Sequence, residues 1–205
     1  IAAAACILVA CGPGVSDAEL VETAKNYIAQ NQIREAALEL KNALQSNPDN
    51  AEARYLLGVI QLDVGDVESA EKEFRRSSEL GWNSELAKID LARALIMQQK
   101  FKQMIENVKA DEDWSQTAIA DLLGLRAFAE ASLGKMNQAK LTLIESAQYD
   151  ADALQGLKTE TQLQLIEGRK AEAKIALDKA LRLYPDSQEL QLLAANVAII
   201  NDDMA

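Results

Sequence analysis

Gln32-Ile-Arg-Glu-Ala-Ala-Leu-Glu-Leu-Lys-Asn-Ala-Leu44 decides the fold, because the chain writes this pattern repeatedly. It returns as Asp66-Val-Glu-Ser-Ala-Glu-Lys-Glu-Phe74, as Met136-Asn-Gln-Ala-Lys-Leu-Thr-Leu143 and as Arg169-Lys-Ala-Glu-Ala-Lys-Ile-Ala-Leu-Asp-Lys-Ala-Leu181. Ala36, Ala70, Ala139 and Ala173 then fall into register, 34, 69 and 34 residues apart. A further copy of about 35 residues therefore occupies the middle. Gly65, Gly134 and Gly168 each stand five residues before one of these alanines, where a tight turn between helices needs a residue free of a Cβ. Apolar residues at three- and four-residue steps, as in Ala37, Leu40, Leu44 and in Leu177, Leu181, Tyr184, give each segment one greasy helical face. Nothing in the chain reads as a strand.

A period of 34 residues with small residues at fixed places resembles the tetratricopeptide repeat (TPR). In the first unit Tyr27, Ala36, Leu40, Ala43 and Pro48 stand at that family's aromatic, small, large, small and proline positions, with Thr23-Ala24 in place of its early Leu-Gly pair. The second unit has Leu57-Gly58, Ala70 and Phe74, but carries Ser77 where Ala is usual and Trp82 where Pro is usual. The third keeps Leu91-Ala92 and Phe101, places Met104 and Val108 at the small and large sites, and ends its second helix early at Asp111-Glu112-Asp113. Units four and five carry Ala139, Leu143 and Ala173, Leu177, Ala180, Pro185, and 188–200 reads as a lone first helix of a sixth. The resemblance implies an all-α, right-handed α-solenoid of about five TPR helix hairpins plus an unpaired last helix, stabilised by stacking because no hairpin buries its face alone. Expected units are about 17–50, 51–84, 85–116, 117–153 and 154–187, with a partial unit at 188–205. Leu190, Leu193, Val197 and Ile200 are expected to leave an exposed stripe on that last helix, which suggests a fragment of a longer array.

Ahead of the repeats, Leu8-Val9-Ala10-Cys11 ends an apolar run and resembles a bacterial lipobox. Residues 1–10 then read as a truncated lipoprotein signal peptide, too short to span a bilayer, and 11–16 as a lipidated Cys11 and its tether. An ordinary apolar N-terminal helix is the competing reading. Gly12 after the cysteine resembles the sorting pattern for the outer membrane. Two or three acyl chains hold far more tightly than one, so a membrane partner through the lipid follows from this reading. Ser16 and Glu19 are spaced for a capping box at the start of the first helix.

The remaining composition excludes more than it suggests. With no His, no Gly-x-Ser-x-Gly elbow, no phosphate-cradling glycine loop and no clustered ligands, no catalytic residue, no metal site and no cofactor are expected. A net charge of −11 argues against nucleic acid and against adhesion to anionic lipid, and no small-molecule substrate is expected.

Function is therefore expected in surface recognition, with protein or peptide segments in the concave groove lined by first helices. By register that groove holds Tyr55, Val59, Arg93 and Phe128 as the candidate binding set, with Leu62, Ile89 and Ile96 beside them and Lys25 and Lys158 toward the ends. An extended apolar segment would settle there, and Arg93 would meet a carboxylate. Packing between repeats is the competing account of each, favoured for Leu62 and Ile96. Val21, Tyr55 and Ile89 stand where a chaperone-tail clamp needs polar groups, which argues against a co-chaperone. Cys11-Gly12, the Ser-Asp-Ala-Glu opening, Ile33-Arg34-Glu35-Ala36-Ala37 and Leu44-Gln45-Ser46-Asn47-Pro48-Asp49 resemble the long TPR lipoproteins of exosortase (PEP-CTERM) and exopolysaccharide systems, the PrsT type. That resemblance implies a non-enzymatic scaffold at the periplasmic face of the outer membrane. A pilotin or outer-membrane assembly lipoprotein, and an accessory domain of a larger enzyme, remain open alternatives.

Overall fold

The computed structural model describes residues 15–202, so the signal-peptide and Cys11 readings fall outside the described residues. Eleven helices and no strand make up the described chain, in an all-helical repeat fold. They are α1 (Asp17–Ala29), α2 (Ile33–Ser46), α3 (Ala51–Asp63), α4 (Val67–Glu79), α5 (Ser84–Met97), α6 (Phe101–Asn107), α7 (Gln116–Ser132), α8 (Met136–Tyr149), α9 (Leu154–Ile166), α10 (Lys170–Leu183) and α11 (Gln188–Asp202). Odd-numbered helices are first helices of hairpins, even-numbered ones second helices. The capping box at Ser16 and Glu19 forms, with the Glu19 amide donating to the Ser16 hydroxyl at 3.2 Å and the Ser16 amide donating to the Glu19 carboxylate at 2.9 Å.

Every hairpin turns on the same device. Asn31, Gly65, Gln99, Gly134 and Gly168 all take positive φ, between 58° and 83°. At each, the residue's own N–H and the next N–H reach back to cap the preceding helix, as in Gly65 to the Leu62 carbonyl (3.0 Å) and Asp66 to the Gln61 carbonyl (2.8 Å). The three glycines are the expected ones, and Asn31 and Gln99 hold the same left-handed conformation against the Cβ penalty.

Small residues sit where helices cross. Ala36, Ala70, Ala139 and Ala173 are fully buried, and Met104 fills the equivalent place in the third hairpin. Ser77 is tolerated at a small position because its hydroxyl donates to the Ala51 carbonyl at 2.8 Å, and Ser146 repeats this toward the Ala120 carbonyl at 2.8 Å. The third hairpin's second helix is only 7 residues long. Trp114, from the segment after it, packs 5% exposed into the core, with the Lys88 ammonium 5.7 Å from its ring centre.

The largest apolar cluster runs from hairpin two to hairpin four through Phe74, Leu91, Leu95, Met104, Trp114 and Leu125. Between hairpins four and five the packing changes. A Cβ placed on Gly124 of α7 would lie 2.6 Å from the Gln155 carbonyl carbon and the Gly156 nitrogen, so α7 and α9 touch backbone to backbone. On α11, Leu190, Leu193 and Val197 turn inward against hairpin five, contrary to the expected exposed stripe, and the Ile200 side chain of that stripe lies outside the described ones. Among the described side chains, the large apolar ones that α11 leaves exposed are Leu192 and Ile199.

Candidate functional site

The candidate groove is built from α3, α5, α7 and α9, whose repeat register carries side chains one or four residues apart onto a common face. Tyr55 and Val59 lie one turn apart on α3, Arg93 on α5 and Phe128 on α7. Each is partly buried. Tyr55 and Val59, like Leu62 and Ile96, pack against the central apolar cluster, and Ile89 belongs to it. Phe128 meets Phe101 edge-on, ring centres 6.4 Å apart. Tyr55 stacks on Trp82 at 4.3 Å and tilts against Phe74 at 5.7 Å.

The carboxylate that Arg93 meets is the chain's own. Asp90, one turn back on α5 and 9% exposed, receives the Tyr55 hydroxyl at 2.8 Å on one oxygen and the Arg93 guanidinium at 2.8 Å on the other. A buried acid is stable only with such partners. Burial, and then the Asp90 charge, push the Tyr55 phenol above its ordinary range, so it stays a donor. Arg93 keeps a buried Nε with no partner among the described residues.

This pattern extends along the whole face. Lys25 of α1 pairs with Glu52 of α3 at 2.6 Å. Glu85 of α5 accepts from the Ser115 amide (2.7 Å) and hydroxyl (3.0 Å) at the start of α7. Asp121 of α7 accepts the Gln155 amide at 2.9 Å and so caps α9, whose own cap residue Ala153 supplies no side-chain bond. Lys158 of α9 pairs with Glu189 of α11. Each successive pair of first helices is thus tied by a polar link. Burial pushes the Asp121 carboxyl up. Burial acts on Glu189 in the same direction, but Lys158 outweighs it and leaves Glu189 below its usual value.

The structure therefore brings Tyr55 and Arg93 together through Asp90, with Val59 one turn away and Phe128 on the next first helix but one. Asp90, Asp121 and Glu189 were not singled out from sequence. Asp121 and Glu189 carry a periodic signal, since Glu52, Asp121, Gln155 and Glu189 share one position of the repeat, whereas Asp90 stands off that position. Among the described residues there is no group of three or more His, Cys, Asp or Glu that could hold a metal ion, and no helix is long and apolar enough to cross a membrane.

Comparison with known families places tetratricopeptide repeats at residues 21–85 and 162–187. A sequence comparison with curated proteins finds no match. Among solved structures, TTC0263, a thermophilic TPR protein of Thermus thermophilus, superposes with a TM-score of 0.65 at 20% identity, over 90% of this chain and 100% of that one. PilW, a widely conserved type IV pilus biogenesis factor, superposes with a TM-score of 0.65 at 17% identity, over 89% of this chain and 84% of its own. YrrB, a TPR protein with an unusual peptide-binding site, gives 0.57 at 15% identity, covering 86% and 91%.

Proposed function

We propose that this tetratricopeptide-repeat protein is a non-enzymatic scaffold that takes extended segments of partner proteins into its concave groove. What supports this reading is that Tyr55, Val59, Ile96 and Phe128 stand partly exposed on three successive first helices, which polar links tie to one another. Rigid aromatic and aliphatic side chains supply contact area with little ordering cost on binding. We further propose that Cys11 carries lipid and anchors the array at the periplasmic face of the outer membrane, in exopolysaccharide export or exosortase-linked protein sorting. The lipobox-like Leu8-Val9-Ala10-Cys11 and the likeness to PrsT lipoproteins support that placement. The fold shared with PilW favours one alternative, a pilus or envelope assembly lipoprotein.

The test is fractionation of the full chain behind a complete signal sequence in a Gram-negative host. Wild type is expected with outer membranes, and Cys11→Ala in the soluble fraction or unprocessed; a Cys11→Ala protein that matures and stays with membranes overturns the anchor. The groove is tested separately with Phe128→Ala, which removes an aromatic face without disturbing the Tyr55–Asp90–Arg93 link. Loss of about 1 to 2 kcal/mol toward peptides selected on wild type supports the groove, and unchanged binding removes it.

A further inference from the structure

Between hairpins four and five, α8 and α9 part around a cavity of about 300 Å³. Its origin lies in the close approach of Gly124 to Gln155 and Gly156. Hairpin five leans onto α7, and α9 rests only thinly on α8. The residues at the opening deepen it. Hairpin three carries Leu91 and Leu95, 6% and 0% exposed, at two repeat positions where hairpin five carries Glu160 and Gln164. Both of these line the cavity, with Leu143, Ile144, Leu157 and Leu163 as its apolar walls.

The polar atoms there are unfinished. Gln164 Oε1 is buried and accepts nothing, and Glu160 has no ion-pair or hydrogen-bond partner among the described residues. The cations at the rim, Lys140 and Arg169, are both engaged with Glu167. Asp150 also lines the cavity, with its own donors in the Thr117 hydroxyl (2.6 Å) and the Asp152 amide (2.9 Å). A ligand that answers Glu160 must bring donors and one positive charge, on a stem that lies against aliphatic walls, while the Gln164 oxygen, closed to solvent, stays behind the wall. Arginine does this: its planar head presents a fork of N–H groups to the Glu160 carboxylate and its three methylenes cover apolar surface. A net charge of −11 on the chain favours a basic partner.

We propose that this cavity is a socket for one arginine side chain of a partner protein, a second recognition site independent of the concave groove. The probes are acetyl-Ala-Arg-Ala-amide and its analogues with citrulline or leucine in place of arginine, titrated into the full chain while the amide NMR signals of Gly156, Leu163 and Gln164 are followed. The arginine peptide is expected to shift these signals with at least about tenfold higher affinity than the citrulline peptide, a charge-assisted bond being worth that much. Glu160→Gln, nearly isosteric, is expected to weaken arginine binding at least fivefold, with Glu160→Ala as a second variant and circular dichroism to show that both are folded. Phe128→Ala is expected to leave it unchanged, so that failure of the groove and failure of the socket read differently. Equal affinities for the three peptides, an unchanged arginine-peptide affinity in Glu160→Gln, or no shift at millimolar arginine peptide would overturn the assignment.

Discussion

The packing around hairpin three and the seam between hairpins four and five solve the same stacking problem with opposite chemistry. Around hairpin three, Phe74, Leu95, Met104 and Trp114 fill the space, and among the described residues the buried polar side chains that interrupt it are Ser77 and Asp90. Between four and five the buried set is Glu130, Thr142, Ser146, Gln155, Thr159 and Thr161, around a small apolar cluster of Ala127, Ala139 and Leu163. Most of these polar groups are used, although Gln155 Nε2 is buried without a partner among the described residues. Glu130 accepts from Thr142 at 2.7 Å and from Arg126 at 3.1 Å, and Thr159 donates to the Gly124 carbonyl at 3.0 Å. The contrast teaches that one repeat register supports either seam. Apolar filling is non-directional and sensitive to lost volume, whereas hydrogen-bonded backbone contact is directional and sensitive to added volume.

The largest expected effect is on the apolar side. Phe74→Ala removes a fully buried ring beneath Tyr55 and is expected to cost about 3 to 5 kcal/mol in denaturant unfolding. The sharpest test of the comparison comes next. Gly124→Ala adds one carbon against backbone at 2.6 Å and is expected to cost about 1 to 3 kcal/mol. Gly156→Ala meets only the Ser146 hydroxyl at 3.2 Å, and its gain in helix propensity keeps it within about 1 kcal/mol of wild type. Equal costs for the two glycines would break the account of the seam.

Acid separates the regions by sign. Glu71 of α4 is half-buried, which alone would raise it, but Lys100, Arg75 and Gln98 donate to it and hold it at about 2. A depressed folded value means its contribution is complete above the ordinary 4.5 and is lost as pH falls from there toward about 2. Glu71→Gln is expected to flatten that limb and to cost about 1 to 2 kcal/mol at neutral pH. Asp121 is raised, so protonating it favours the folded state and its part of the stability grows as pH falls through that raised value. Asp121→Asn keeps the acceptor for the Gln155 amide and is expected to match or exceed wild type at neutral pH, while Asp121→Ala loses the cap at about 1 kcal/mol. Smallest of all, Gln99→Gly relieves a positive φ of 58° and is expected to raise the stability measured in denaturant unfolding slightly, by about 0.5 kcal/mol.

How much of this is legible in the sequence depends on whether a position tolerates one residue type or many. The alanines at 36, 70, 139 and 173 mark the hairpins because a close helix crossing favours a small side chain, with Met104 as the exception beside the short second helix of hairpin three, and Gly65, Gly134 and Gly168 mark turns because a positive φ disfavours a Cβ. Asn31 and Gln99 hold the same turn without announcing it, since the backbone bonds around them carry the geometry. The groove face is periodic and therefore visible at Tyr55, Val59, Arg93 and Phe128. What is hidden is that Asp90 already occupies Tyr55 and Arg93, because Tyr55 and Asp90 are one repeat and one residue apart and only stacking brings them together. Gly124 and Gly156 do carry a sequence signal, as glycines inside helices. Their meaning depends on the partner helix and emerges only from the packed seam.

On the proposed reading of the groove, the polar ties between first helices make it an exchanger and not a sink for charge. Lys25, Arg93 and Lys158 each hold an acid already, so an incoming ion gains only the difference between its bond and the one it displaces. Discrimination among partners then rests on how well apolar side chains fit between rigid rungs. Ionic strength should change arrival rates at this acidic surface far more than it changes which partner stays.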